Sequence, residues 1–463
     1  MKNTLLFFCL LLFSTLADAQ LRLPSVFGDH MVLQQQTDAP IWGWAHNGQD
    51  ILITVSWDTA QFKTKSSNAA FWSTTIKTPT AGGPHTITIK AGGEVITLED
   101  VMSGEVWLCS GQSNMEWNMS SSTDGKEALP GANHPNIRLF QVGKSADDFP
   151  QHTGDGTWKI CTPESARYFS AVAYFFGKKI NQELNVPVGL IHSSWGGTPA
   201  EVWVPKERIE NNADLKTAAL KQTEKPWCPS ARGVVYNSMI HPLVPFRIAG
   251  ALWYQGESNT VAPATYKLLM ENLIVSWREK FKTDFPFYYV QIAPYSGYGT
   301  TPIGTLIREQ QVKMLEIPNT GMVNIADHVD NVKDIHPTFK KPVGERLAHY
   351  ALGETYAKPV APYKNPLYQS MKIEKNKIVL TFENVPNGLI SKGEPAEFLI
   401  AGEDKKFIPA KAVIKGNTIS VSVKEIKNPV AVRFAWMNAS IPNVFSKEGL
   451  PVSSFRTDTW LIE

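Results

Sequence analysis

Four short polar blocks carry the residue types of acyl-transfer chemistry: Gly111-Gln112-Ser113-Asn114, Gly196-Gly197-Thr198, Gln255-Gly256-Glu257 and Asp334-Ile335-His336-Pro337. Ser113 sits in a small turn directly after the apolar run Val106-Trp107-Leu108-Cys109. A strand end would fix its position and expose its hydroxyl as a nucleophile. Such a serine needs a base. Of the ten histidines His336 is the first choice, since it lies in a loop after the last predicted strand, where a doubly wound sheet can return a base to its nucleophile. His328, close behind that strand, is the second. Asp334, two residues before His336, is placed to bind the other ring nitrogen and stabilise imidazolium. A glycine N–H, a side-chain amide and the N–H of Ser113 would supply donors for the developing oxyanion.

The elements that must position these blocks follow from apolar periodicity. In the middle of the chain, strands at Glu105 to Cys109, Ile137 to Val142, Val188 to His192, Ile248 to Tyr254, Phe287 to Ile292 and Met322 to Ala326 alternate with helical segments. The helices lie near Ser170 to Leu184, Tyr266 to Phe281, Ile303 to Leu315 and Pro342 to Tyr350. Strand and helix in alternation predict an α/β domain with a mostly parallel sheet covered on both faces. Ligands of such sheets lie beyond the carboxyl ends of the strands. Ser113, the turn Ser194 to Thr198 and the turn Gln255 to Asn259 all follow strand ends, so the three are expected to converge on one rim.

On either side the period changes. From about Leu21 to Met102, short runs rich in β-branched and aromatic residues (Ile41 to Trp44, Ile51 to Trp57, Phe71 to Ile76, His85 to Ile89, Glu94 to Leu98) alternate with Gly, Asn, Asp and Pro clusters. That pattern predicts a small antiparallel sandwich. From about Lys358 the strand pattern returns, at Met371 to Ile373, Lys377 to Phe382, Glu397 to Ile400, Thr418 to Val423 and Val430 to Ala435. The expected division is a leader at 1–19, an N-terminal β-domain at 20–102, a catalytic domain at 103–357 and a C-terminal β-domain at 358–463.

A length of 463 residues fits two or three domains, and 43% hydrophobic with 19% charged residues is an ordinary globular balance. The net charge of +2 comes from scattered residues without basic runs, which argues against nucleic acid or an anionic membrane as partner. Lys2, the apolar stretch Leu5 to Leu16 and Ala17-Asp18-Ala19 before Gln20 form a cleavable signal peptide, which predicts a periplasmic or secreted protein. The apolar stretch is shorter than the roughly 20 residues of a membrane span. After cleavage Cys109, Cys161 and Cys228 remain, an odd count that allows at most one bridge, with Cys161 to Cys228 the candidate. The histidines lack ligand spacing, so neither a metal nor another cofactor is expected.

Taken in order, the four blocks resemble those of the sialate O-acetylesterase branch of the SGNH hydrolases. Phe27-Gly28-Asp29-His30-Met31-Val32-Leu33-Gln34, Trp253-Tyr254, Gly449-Leu450-Pro451 and Phe455-Arg456 are similar as well, so the resemblance spans nearly the whole mature chain. It implies a flavodoxin-like SGNH three-layer domain, flanked by β-sandwich-type domains, that removes O-acetyl groups from sugars through an acetyl-enzyme. It further implies Ser113 as nucleophile, His336 as general base and then acid, and Asp334 as the orienting carboxylate. The oxyanion donors would be the Ser113 N–H, the Gly197 N–H or its neighbour Gly196, and the Gln255 side chain. Two positions depart from the wider SGNH pattern. Gln255 stands where an Asn is usual, and Lys333 occupies the usual carboxylate position three residues before the histidine. Asp334 must then serve, or a Ser-His dyad is helped by Asp327 or Asp330.

The expected substrate is an O-acetylated sugar, most specifically a 9-O-acetyl or 4-O-acetyl sialic acid. An acetylated xylan or other plant polysaccharide is the alternative, and a non-catalytic sugar-binding protein is the reading of a different class. Gln112, Asn114, Trp195 and Glu257 are candidate substrate contacts, and Trp117, Trp195, Trp203 and Trp253 lie near the catalytic turns as stacking walls, with Trp253 also suited to the core. An α/β-hydrolase nucleophile elbow would require glycine at position 115, which is Met115.

Overall fold

A single strand of 18 residues, Glu94–Gly111, organises the computed structural model, which describes residues 20–462. Residues 1–19, where the sequence places the signal peptide, lie outside the described residues. The first half of the strand pairs antiparallel with Gly82–Ala91. Its second half pairs in parallel with Val188–Ser194 on one side and Gly250–Tyr254 on the other. Residues 106–111 are all buried, as expected of a central parallel strand covered on both faces.

Across the sheet the strands run Thr320–Val323, Phe287–Val290, Gly250–Tyr254, Glu94–Gly111, Val188–Ser194, His134–Gln141 and Trp158–Cys161. Pairing is parallel up to the last strand, which is antiparallel to its neighbour. That edge strand is not foreseen from the sequence, because four residues set between polar turns carry too short a pattern. Successive side chains point to opposite faces, and the two cores follow that period of two. Val106 and Leu108 join Leu269, Leu273 and Trp277 of the helix Tyr266–Phe281 and Ile307 of Ile303–Lys313. Trp107 and Cys109 join Val172, Phe176 and Ile180 of Ala171–Leu184 and Leu347 of Lys341–Glu354. The result is a three-layer α/β arrangement, and each fully buried Leu, Ile or Phe in it contributes about 1.5–3 kcal/mol.

The expected division at 102/103 falls inside the long strand. The sequence reading splits it in two, because Ser103-Gly104 interrupts the apolar run, yet the backbone ladder continues through both residues. Apolar residues of the N-terminal region, among them Val32, Trp42 and Ile53, also share one core with the Tyr266–Phe281 helix layer. At the C-terminal end two four-stranded antiparallel sheets enclose Ile378, Leu380, Ile419, Ile400 and Phe434 in one core. Cys109, Cys161 and Cys228 are all free and buried, so the bridge considered between Cys161 and Cys228 is absent. Among the described residues no helix is long and apolar enough to cross a membrane.

Candidate active site

Gly111 ends the long strand at φ +137°, and a Cβ there would stand 2.3 Å from the Tyr254 carbonyl oxygen, so only glycine fits. The Gln112 N–H donates to that same carbonyl at 3.0 Å, and Ser113 opens the short helix Ser113–Glu116. Gly111 pairs with Ser194 on one side and Tyr254 on the other, so Ser113 emerges where three carboxyl ends of strands meet. The convergence expected of the three turns is therefore present.

His336 comes from the loop that follows Thr320–Val323. Its Nε2 lies 2.9 Å from Ser113 Oγ, and its ring stacks on Trp117 with centroids 4.8 Å apart and 20° between planes. With the serine hydroxyl donating to Nε2, the ring proton is on Nδ1 and faces Asp334. Asp334 Oδ1 accepts the His336 backbone N–H at 2.9 Å but stands 3.5 Å from Nδ1, with its side chain 51% exposed. It shapes the loop and offers the imidazole a negative charge at more than hydrogen-bond length. The other acids are engaged elsewhere: Asp327 grips Arg346 with two bonds of 2.7 Å, and Asp330 accepts the Thr338 hydroxyl at 2.8 Å. His328 lies against Arg346 and Asp327. Burial pulls His336 below the ordinary histidine value, the Lys340 ammonium pulls the same way, and Asp334 opposes both.

The donors expected for an oxyanion divide into two groups. A Cβ on Gly196 would lie 3.3 Å from Ser113 Cβ, so the second block abuts the serine. Yet the Gly196 N–H is taken by Glu116 Oε2 at 2.6 Å, and the other oxygen of Glu116 holds Lys144 at 2.5 Å. Gln255 is fully buried; its amide donates to Asn259 Oδ1 at 2.7 Å and to the Thr198 carbonyl at 3.4 Å, while the Tyr266 hydroxyl donates to its Oε1. Neither the Gly196 N–H nor the Gln255 amide is free as expected, because both are spent on internal bonds. Left over are the N–H groups of Ser113 and Gly197, for which the described residues supply no acceptor. Gly197 adopts φ +81° under the indole of Trp227, whose nitrogen would be 2.8 Å from a Cβ there.

Several expected sugar contacts are likewise corrected. Gln112, Asn114 and Glu257 are buried and bonded inward: Gln112 Oε1 accepts the N–H groups of Gly256 and Ser258, and Asn114 binds Glu257. Trp203 and Trp253 are core residues packed edge to face. Trp195 and Trp117 remain partly exposed at the rim. Trp227, 65% exposed above Gly197, has no signal in the sequence, since Lys225-Pro226-Trp227-Cys228 is remote from every block. Glu116 and Lys340 lie beside the blocks and are missed for another reason, as charged residues that read as solvated surface.

A second serine–histidine pair lies one strand away. His192 Nε2 is 2.5 Å from Ser194 Oγ, and Nδ1 is 2.7 Å from Gln141 Oε1. Both residues are buried, and desolvation drags the imidazole down to about 3. A neutral amide in place of a carboxylate and the absence of solvent access make this pair a strand-end brace.

Against known proteins, a family described as carbohydrate esterase, sialic acid-specific acetylesterase, matches residues 103–353. The chain is 28% identical to the sialate O-acetylesterase of Homo sapiens over 90% of this chain and 87% of that one. The mouse protein of the same name is 28% identical, over 90% and 89%. A crystal structure of a carbohydrate acetylesterase from Xanthomonas citri superposes with a TM-score of 0.88 at 34% identity, covering 95% of this chain and all of the other.

Proposed function

From the premise that this chain belongs to the sialic acid-specific acetylesterase family of carbohydrate esterases, we propose that Ser113 is its nucleophile and that deacetylation passes through an acetyl-serine. The observation that carries the reading is the 2.9 Å contact between Ser113 Oγ and His336 Nε2 at the carboxyl ends of the sheet. In the first half-reaction Oγ attacks the acetyl carbonyl carbon while its proton passes to Nε2. The N–H groups of Ser113 and Gly197 receive the oxyanion. Collapse breaks the ester bond, and the imidazolium returns the proton to the departing sugar oxygen. Water then attacks the acetyl-serine with His336 as base, releasing acetate. Asp334 supports the transient imidazolium by charge from 3.5 Å.

The sugar is proposed to lie against Trp195 and the exposed Trp227, with its acetyl group directed toward Ser113. An O-acetylated sialic acid at its 9- or 4-position is the substrate we favour, and the leader expected in residues 1–19 makes a periplasmic or secreted location part of this proposal. The deciding experiment compares acetate release from O-acetylated sialic acid and from acetylated xylan by wild type and Ser113→Ala. Release from sialic acid that vanishes in the variant is expected. A preference for xylan would overturn the substrate, and equal release by the two proteins would overturn the mechanism.

A further inference from the structure

Behind the nucleophile, three buried side chains form a run of hydrogen bonds that the acyl transfer itself does not touch. Lys340 Nζ donates to Asn114 Oδ1 at 2.7 Å, and Asn114 Nδ2 donates to Glu257 Oε1 at 2.6 Å and to the Ile335 carbonyl at 3.1 Å. Lys340 and Asn114 are 0% exposed and Glu257 6%. Asn114 directly follows Ser113, and Ile335 directly precedes His336. The Asn114 amide is thus a clasp between the turn that carries the serine and the loop that carries the histidine.

The direction of that clasp depends on Lys340. An ammonium only donates, so the amide must present its oxygen to Lys340 and its nitrogen to Glu257 and Ile335. Burial raises the Glu257 carboxyl above its ordinary range while Asn114 and Lys340 oppose the shift, and its Oε1, accepting the amide nitrogen, holds the same orientation from the other end. Taking a lysine wholly out of water is costly unless a counter-charge and hydrogen bonds offset it, which is weak economy for a residue serving only to fill space.

Resting on the reading of Ser113 and His336 as the reacting pair, we propose that Lys340 is a positioning residue: with Glu257 as counter-charge it orients the Asn114 amide that joins the two catalytic loops, and it sets a positive charge behind the imidazole. The surrounding groups are consistent with that role. Glu257, Asp124, Asp330 and Asp334 face Lys340 with negative charge, and Asp124 also accepts its backbone N–H at 3.2 Å. The rings of Trp117 and Tyr254 lie 5.8 and 5.5 Å from Nζ. Burial brings the ammonium down to about 7 against those acids, and its charge in turn helps to hold His336 below the usual histidine range.

The test is the pH profile of kcat and kcat/KM for acetyl-ester hydrolysis by the full-length protein. Lys340→Met should lower kcat by at least about tenfold at neutral pH, leave KM within about twofold, and move the acid limb upward toward an ordinary histidine. Because Lys340→Met strands the Glu257 charge, Lys340→Met with Glu257→Gln removes both charges together and should fold while keeping the raised acid limb. Asn114→Ala retains both charges and breaks the clasp, so it should lower kcat with the acid limb in place. Wild-type kcat and acid limb in these variants would overturn the proposal. Ser113→Ala, run in parallel, separates the two levels: turnover that survives it overturns the serine reading, whereas a dead Ser113→Ala beside wild-type profiles overturns only the positioning role.

Discussion

His336 Nε2 stands 2.9 Å from Ser113 Oγ, whereas its Nδ1 stops 3.5 Å from the Asp334 carboxylate. The unequal spacing ranks the three residues by expected effect. Ser113→Ala and His336→Ala should each lower kcat by at least about 10³-fold with KM little changed, because both remove interactions made as the proton moves. Steady-state hydrolysis of an activated acetyl ester, with circular dichroism to verify folding, measures this.

Asp334→Asn should cost far less, on the order of tenfold, since its amide oxygen can still accept the His336 N–H while the supporting charge is lost. Asp334→Ala removes both and should cost more. A loss in Asp334→Asn as deep as that of His336→Ala would mean that the carboxylate closes onto Nδ1 during turnover.

The rate should rise with pH as His336 loses its proton, because only the neutral ring accepts from Ser113. Its value in the folded protein is lowered by burial and by Lys340, so the midpoint of the acid limb of kcat/KM lies below the ordinary 6.5. Activity should therefore persist into mildly acid solution. A midpoint at 7 or above contradicts the assignment.

His192 makes a separate prediction about stability. Buried and neutral, it is held at about 3 against 6.5 in the unfolded chain. As pH falls below 6.5 the unfolded state takes up a proton that the folded state refuses, so stability is lost between 6.5 and 3. The slope from this group approaches about 1.4 kcal/mol per pH unit. Urea unfolding at several pH values should show a shallower acid loss for His192→Gln than for wild type, by about that amount, and parallel curves would refute it.

Trp227→Ala should raise KM for an acetylated sugar by about tenfold or less, the worth of one aromatic contact of about 0.5–1.5 kcal/mol. A small activated ester that does not reach the rim should be hydrolysed as before. Equal effects on both substrates would mean that Trp227 supports the Gly197 turn and does not hold the sugar.

The helix Tyr266–Phe281 was legible because Tyr266, Leu269, Met270, Leu273, Ile274, Trp277 and Phe281 mark one buried face at helical spacing. Ser113 and His336 were legible because small polar blocks fell at predicted strand ends. The fate of Gln255 was not. An amide at a strand end turns outward or inward according to its partners, and here Asn259 and the Tyr266 hydroxyl, eleven residues away, draw it in. Lys340 was hidden for a deeper reason: a lone lysine is ordinarily solvated, and its burial is decided by Asn114, 226 positions away. The continuity of the long strand is not legible because Ser103-Gly104 punctuates the pattern, while pairing with Val32–Gln34 carries the backbone across it.

That strand, Glu94–Gly111, also governs how the protein should come apart on heating. An excision at residue 103 would cut a continuous hydrogen-bonded ladder and expose the apolar surface that residues 20–102 share with a helix layer of the catalytic sheet. The two regions should consequently melt in one calorimetric transition, and loosening introduced at Gly82–Ala91 should be felt at the far end of the same strand, two residues from Ser113.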